Sequence, residues 1–409
     1  MIEMKYSGEE WINDIPGDWL ISKIGTLYSV RNTKVSDRDY QPLSVTMKGV
    51  LPQLETAAKT DAHDDRKLVK KGDFAINSRS DRRGACGIAE SDGSVSLINT
   101  ILCPRNEMDP KYYNWLFHTS QFADEYYRWG HGIVDDLWTT RWQEMKNISI
   151  PVPSLLEQKA IATFLDNRIS KIDSLIANQE QQIGKLKQYK QSLITEVVTK
   201  GLDRNVAMKE SGVDWIGEVP KEWKLEKIKY VAIIRDEKYE GGDYEYIALE
   251  NVESLSGRYV KTDSTYDLEG TKLAYSGDVI FGKLRPYLGK ALSIDYECCV
   301  STEFAVFSPK KLASEYLKYV LLSSGFIEII NASTYGTKMP RANVDFIKNV
   351  IVPIPTKKEQ DDIVAEAIRI DNSLQRLIDI KLSKIEKLNQ YKKSLIYEYV
   401  TGKKRVPEA

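Results

Sequence analysis

Apolar side chains recur at helical spacing in two long stretches of this chain. Over residues 154–200, Ile161, Leu165, Ile172, Leu175, Ile183, Leu186, Tyr189 and Leu193 form one stripe. Over residues 356–401, Ile363, Ala367, Leu374, Leu377, Ile385, Leu388, Tyr391 and Leu395 repeat it at the same relative positions. Steps of mostly three, four and seven predict a coiled-coil seam. Each stretch opens with a capping box, Ser154 to Glu157 and Thr356 to Glu359, just after Pro153 and Pro355. Gly201 and Gly402 follow the last turns, where helices commonly stop. Some 45 residues at helical rise span roughly 65 Å. An amphipathic helix that long needs a partner, and its own repeat copy is the simplest one.

The segments before each helix have a different pattern. Short runs at 73–77 (DFAIN), 95–98 (VSLI), 278–281 (DVIF) and 304–307 (FAVF) predict strands. Segments 112–127 and 314–330 predict short helices. The expected fold class is therefore α+β, with two tandem-repeated globular domains. A long helix follows each, and the two helices pair as an antiparallel coiled coil. The expected boundaries are 1–153 for the first domain and 154–200 for its helix. A linker at 201–208 leads to the second domain at 209–355, its helix at 356–401 and a tail at 402–409.

The repeat extends beyond the helices. Residues 5–19 (KYSGEEWINDIPGDW) match residues 209–223 (KESGVDWIGEVPKEW) at seven of fifteen positions, with four more Asp/Glu or Ile/Val exchanges. Residues 183–199 match residues 385–401 at twelve of seventeen. IPVPSLLEQ at 150–158 returns as VPIPTKKEQ at 352–360. Between these segments only landmarks survive, such as Gly72-Asp73 against Gly277-Asp278, Pro104 against Pro309, and Phe122 against Phe326. A duplicated scaffold with two divergent inserts implies one job done on two targets.

Composition narrows the job. The hydrophobic fraction is 42% and the charged fraction 29%, values of an ordinary globular protein, and the net charge is −1. A polyanion would have to be met by local basic patches. No apolar run approaches the ~20 residues that cross a bilayer, and the N-terminus lacks the basic-then-apolar pattern of a secretory signal. Cys86, Cys103, Cys298 and Cys299 form no CxxC pair, which suggests reduced thiols in the cytoplasm. His63, His118 and His131 are too scattered for a metal site.

Enzyme motifs are incomplete. Residues 277–284 approach a phosphate-binding loop, but Leu284 stands where the hydroxyl should be and Pro286 blocks the following helix. Asp109-Pro110-Lys111-Tyr112 only echoes an adenine-methyltransferase motif, without its second proline or a glycine-rich loop upstream.

The SGxxWIGxxPxxW opening, with Asn13 in place of Gly in the first copy, and the PxPxxxEQ motif occur in both halves. Together they resemble the specificity subunits of type I restriction–modification systems, over essentially the whole chain. The resemblance implies two target-recognition domains, each reading one half of a split double-stranded DNA site. The helices would act as a ruler and dock two methyltransferase subunits, which restriction/translocase subunits join. It implies no catalysis by this chain and no cofactor bound to it. S-adenosylmethionine, ATP and Mg²⁺ would sit on the partners. A non-enzymatic coiled-coil adaptor with two protein-binding heads is the alternative.

DNA contact requires Arg and Lys for phosphates, with Arg, Asn, Gln or Thr for base edges. The first domain offers Asn77, Arg79, Arg82 and Arg83, then Arg128 and His131, then Thr139, Thr140 and Arg141. The second offers Lys283, Arg285, Tyr287 and Lys290, then Tyr335, Thr337, Lys338, Arg341 and Asn343. Trp11, Trp19, Trp215 and Trp223 lie in the shared part of the repeat and are read as structural. Lys185, Lys187 and Lys190 are read as facing away from the seam.

Overall fold

The computed structural model describes residues 3–53, 63–79, 83–133, 138–262, 267–336 and 338–407. It forms two compact units, one of Met1–Asn178 with Lys384–Ala409 and one of Gln179–Ser383.

In the first unit, a four-stranded antiparallel sheet runs in the order Cys86–Ile88, Phe74–Asn77, Asn99–Pro104, Tyr28–Arg31. Its central strand Phe74–Asn77 is buried throughout, which explains its unbroken apolar run. A second sheet orders Gly93–Ser96, Arg66–Val69 and Lys34–Val35, beside a hairpin of Leu43–Thr46 and Gly49–Pro52. The predicted segment 112–127 folds as two helices, Pro110–Phe117 and Ser120–Arg128. They part at Thr119, whose hydroxyl donates to Leu116 O of the first helix and accepts from Phe122 N, capping the second.

The second unit repeats this plan. Ala232–Arg235, Phe304–Pro309, Val279–Gly282 and Ala291–Ser293 form the four-stranded sheet. Glu245–Ile247, Cys298–Val300 and Lys272–Ala274 form the smaller one. The two small sheets share their links in different proportions. Lys34–Val35 pairs antiparallel with the strand Arg66–Val69, as Lys238 does with Lys272. Glu245–Ile247 pairs parallel with Cys298–Val300, as Pro42 does with Ser94. Segment 314–330 also divides, into Ser314–Leu322 and Ser324–Ala332.

The long helices span Leu155–Lys200 and Lys357–Val400. Both capping boxes form: Glu157 N donates to Ser154 Oγ at 3.3 Å, and Glu359 N to Thr356 Oγ1 at 3.3 Å. Trp19 Nε1 donates to Glu157 at 3.2 Å and Trp223 Nε1 to Glu359 at 3.0 Å. These tryptophans therefore tie each domain to the start of its own helix. Gly402 ends its helix at φ +73°, and a Cβ there would meet Pro16 at 2.3 Å, so only glycine fits.

Within each unit the start of one long helix packs antiparallel on the end of the other. In the first, Phe164 lies 4.5 Å from Tyr399 and Asp173 accepts from Lys392 at 2.6 Å. In the second, Lys190 Nζ donates to Asp371 at 2.7 Å and Lys381 bonds Gln182. The same tyrosine anchors each pair. Tyr112 OH donates to Val400 O at 2.8 Å, and Tyr316 OH to Val198 O at 2.9 Å.

The seam differs from the expected stripe at four places. Leu175 and Leu377 are each 47% exposed, and Tyr189 and Tyr391 are 56% and 54% exposed. Ile169, Ile194, Ile370 and Ile378 are buried instead. A straight helix drifts by ~20° per heptad against a strict seven-residue repeat, so a fixed stripe leaves the interface within a few turns. Lys190 also departs from expectation. It is buried in the seam against Asp371, while Lys185 and Lys187 are exposed.

Candidate nucleic-acid interface

In the first domain, three separate segments converge at the exit of the central strand. Arg79 bridges Thr139, and His131 bridges Thr139 from the other side through reciprocal N–H···O bonds of 3.0 Å. Thr140 N donates to Ser78 O at 2.9 Å and locks the third segment onto the first. The bridged trio Arg79, Thr139 and His131 thus comes together, with Arg79 and His131 exposed.

Arg83 lies 3.6 Å above the Tyr127 ring and 3.5 Å from Asp124. Tyr127 in turn stacks on Trp138 with ring centroids 5.1 Å apart. This layered arrangement presents a guanidinium and two ring edges beside the trio. Arg128 pairs with the buried carboxylate of Glu125 at 2.8 Å. Arg141 is exposed ahead of the helix Trp142–Met145, its N–H donating to Glu144 at 3.1 Å. Arg82 lies outside the described residues.

Two first-domain candidates are part of the platform rather than its surface. Asn77 is buried, and its Oδ1 accepts from Arg79 N at 2.9 Å. Thr140 is buried, and its hydroxyl donates to Tyr126 O at 2.7 Å. Their side chains are consumed in shaping the turn and cannot face a ligand as expected.

The second domain builds the same junction. Leu284 bridges Arg341, and Tyr335 bridges Arg341. The trio is therefore Leu284, Arg341 and Tyr335, standing where Arg79, Thr139 and His131 stand in the first domain. Arg341 is gripped by Glu303, with Nη2 at 2.7 Å and Nε at 3.1 and 3.2 Å from its oxygens. That contact holds the Glu303 carboxyl below its usual range. Lys283 lines the same depression, and burial, reinforced by Lys272, pushes its ammonium pKa down.

Arg285 is exposed in the left-handed region at φ 51°, fixed by a 2.7 Å bond from its N–H to Pro340 O. Tyr287, Tyr335 and Lys338 are exposed. Asn343 caps the helix Val344–Asn349 by accepting from Asp345 N at 2.8 Å. Lys290 corrects expectation: its Nζ is turned inward to Leu249 O at 2.6 Å. Thr337 lies outside the described residues.

The incomplete phosphate-loop motif is a strand, Val279–Gly282, in the buried sheet. Cys103 and Cys298 are free thiols that burial pushes up to about 11 and about 12, away from reactivity. Among the described residues, no helix is long and apolar enough to cross a membrane.

A family model described as the type I restriction modification DNA specificity domain matches residues 16–185 and again residues 220–390. The chain belongs to this family. It carries the DNA specificity domain twice, and each copy contains one of the two junctions. The chain is similar to the type I restriction enzyme MjaVIII specificity subunit of Methanocaldococcus jannaschii, 29% identical over 285 residues, covering 64% of this chain and 63% of that protein. It is also similar to the type I restriction enzyme EcoDI specificity subunit of Escherichia coli, 22% identical, covering 60% of this chain and 61% of that one. The chain thus spans less than two thirds of the length of these relatives. Among solved structures, an HsdS subunit from Thermoanaerobacter tengcongensis matches with TM-score 0.50 at 16% identity, over 95% of this chain and 98% of that one. A chain from a study of complex assembly and conformational transition of the type I R-M system matches with TM-score 0.69 at 15% identity, over 94% of this chain and 98% of that one. These likenesses establish a shared fold.

Sequence reasoning missed Tyr127, Trp138 and Glu303. Only the aromatic density around Arg128 hinted at the first two, and nothing local marked the third.

Proposed function

We propose that this chain is the sequence-reading subunit of a cytoplasmic type I restriction–modification enzyme and performs no chemistry itself. Each domain reads one half of a bipartite duplex target at its three-segment junction, and the paired helices set the unread spacer between the halves. The observation that carries this reading is the junction itself: one backbone arrangement, built twice, with different donors at equivalent positions. That is the arrangement a reader of two different half-sites requires, because backbone geometry fixes position and side chains specify bases.

The helices also dock two methyltransferase subunits, through which restriction/translocase subunits join. In support, each unit leaves apolar side chains of its helix pair exposed, among them Leu175 and Tyr391 in the first and Leu377 and Tyr189 in the second. Exposed apolar side chains flanked by charge suit a protein partner. S-adenosylmethionine, ATP and Mg²⁺ are held by the partners. Sequencing of methylated DNA from the host, with and without this chain, tests the proposal. A two-part motif should vanish on deletion. Methylation independent of the chain would refute it.

A further inference from the structure

We infer that Arg341 reads a guanine in the half-site taken by the second domain, with Glu303 as its positioning residue. The inference rests on the proposed function and names the chemistry of one base position within it. Arg341 occupies the centre of the bridged trio, with Leu284 on one side and Tyr335 on the other. Its side chain is 43% exposed, so the guanidinium reaches the surface.

Glu303 holds Nε and one edge of Nη2, which fixes the plane of the fork. The Nη1 edge lies outside this clamp and points its donors elsewhere. A planar pair of donors matches the two acceptors, O6 and N7, that guanine alone shows in the major groove. Adenine places a donor opposite one of these N–H groups, and thymine offers a single acceptor.

The clamp also separates base from phosphate. A carboxylate 2.7 Å from the guanidinium largely cancels its field and would repel a phosphodiester oxygen. An arginine used for phosphate contact gains nothing from such a neighbour. An arginine used for geometry gains a fixed rotamer at little entropic cost. Lys283, in the same depression, supplies the positive charge instead. The equivalent position in the first domain is Thr139, so a guanine read from the centre of the trio belongs to the second domain's half-site.

The test replaces the chromosomal copy with R341A, R341M or E303Q and maps methylated sites in the host. R341A and R341M should each relax one guanine position in one half of the motif, with discrimination falling roughly 5- to 150-fold, while the other half stays unchanged. E303Q should give a smaller relaxation at the same base. R341M keeps much of the side-chain bulk without its donors, so it decides the matter if R341A does not accumulate. The inference is overturned if the motif of R341M is unaltered, or if the wild-type half-site holds no guanine. A uniform loss at all sites, with a shallower salt dependence in vitro, would also overturn it, since that marks a phosphate contact. If deleting the chain leaves host methylation unchanged, the proposed function itself fails, and that outcome is visible before any variant is made.

Discussion

The two recognition domains share a junction but not its chemistry. In the first, the exposed arginine sits on the segment leaving the central strand, as Arg79, and the middle position is Thr139. In the second, the strand-exit position is Leu284 and the arginine has moved to the middle, as Arg341, where Glu303 clamps it. The backbone bridges survive this exchange because they are main-chain bonds, indifferent to the side chains they carry. A scaffold of this kind lets donors change places without moving the platform.

The helix pair makes a second comparison. Lys190 and Lys392 occupy equivalent repeat positions, and both pair with an aspartate on the opposing helix. Lys190 meets Asp371 with both side chains at most 10% exposed, whereas Lys392 meets Asp173 at the surface. Where the second unit has Asp371, the first has the buried Ile169. One seam position is thus apolar in one unit and ionic in the other.

The largest predicted effect follows from that difference. K190M should destabilise the protein by about 3 kcal/mol, because the buried Asp371 carboxylate loses its hydrogen-bonded ammonium and keeps only Arg258, 3.7 Å away. K392M should cost under about 1 kcal/mol, as an exposed pair does. The double variant K190M/D371I, which places at 371 the isoleucine that the first unit carries at 169 and removes the ammonium opposite it, should recover most of the loss. Denaturant unfolding measures all three, and equal costs for the two lysines would dissolve the comparison.

Next in size are the first-domain arginines. R79A/R83A should weaken DNA binding by the assembled methyltransferase by roughly tenfold or more at moderate salt. The slope of log affinity against log salt should drop by about one for each phosphate contact removed. Titration at several salt concentrations reads both quantities, and an unchanged affinity would remove these residues from the interface.

A smaller effect should be the same in both halves. Y112F and Y316F each delete one hydroxyl bond to a helix-end carbonyl, to Val400 and Val198 respectively. Each should cost about 1 kcal/mol, or somewhat more because a buried carbonyl loses its donor. Thermal unfolding that differs strongly between them would show that the two anchors are not equivalent.

The repeat, the capping boxes and the α+β plan were legible in the sequence because each is local or identical between copies. Other features were not. Asn77 and Thr140 looked like loop donors, yet both are buried in the junction that the loop closes. Donor density shows where a polar segment lies but not which side chains it consumes. Glu303 is 38 residues from Arg341, and Trp138 is 11 from Tyr127, so both contacts arise only after the chain folds back. The seam drifted off its stripe at Leu175 and Tyr189 because period 3.6 was read as 3.5.

Independent half-site reading is tested most directly by mapping methylated sites in hosts carrying junction variants of one domain at a time. R79A/H131A/T139V in the first domain should relax bases in one half of the motif only. L284A/Y335A/R341A in the second should relax bases in the other half only, with the spacer constant in both. A variant confined to one domain that altered both halves, or neither, would contradict the account.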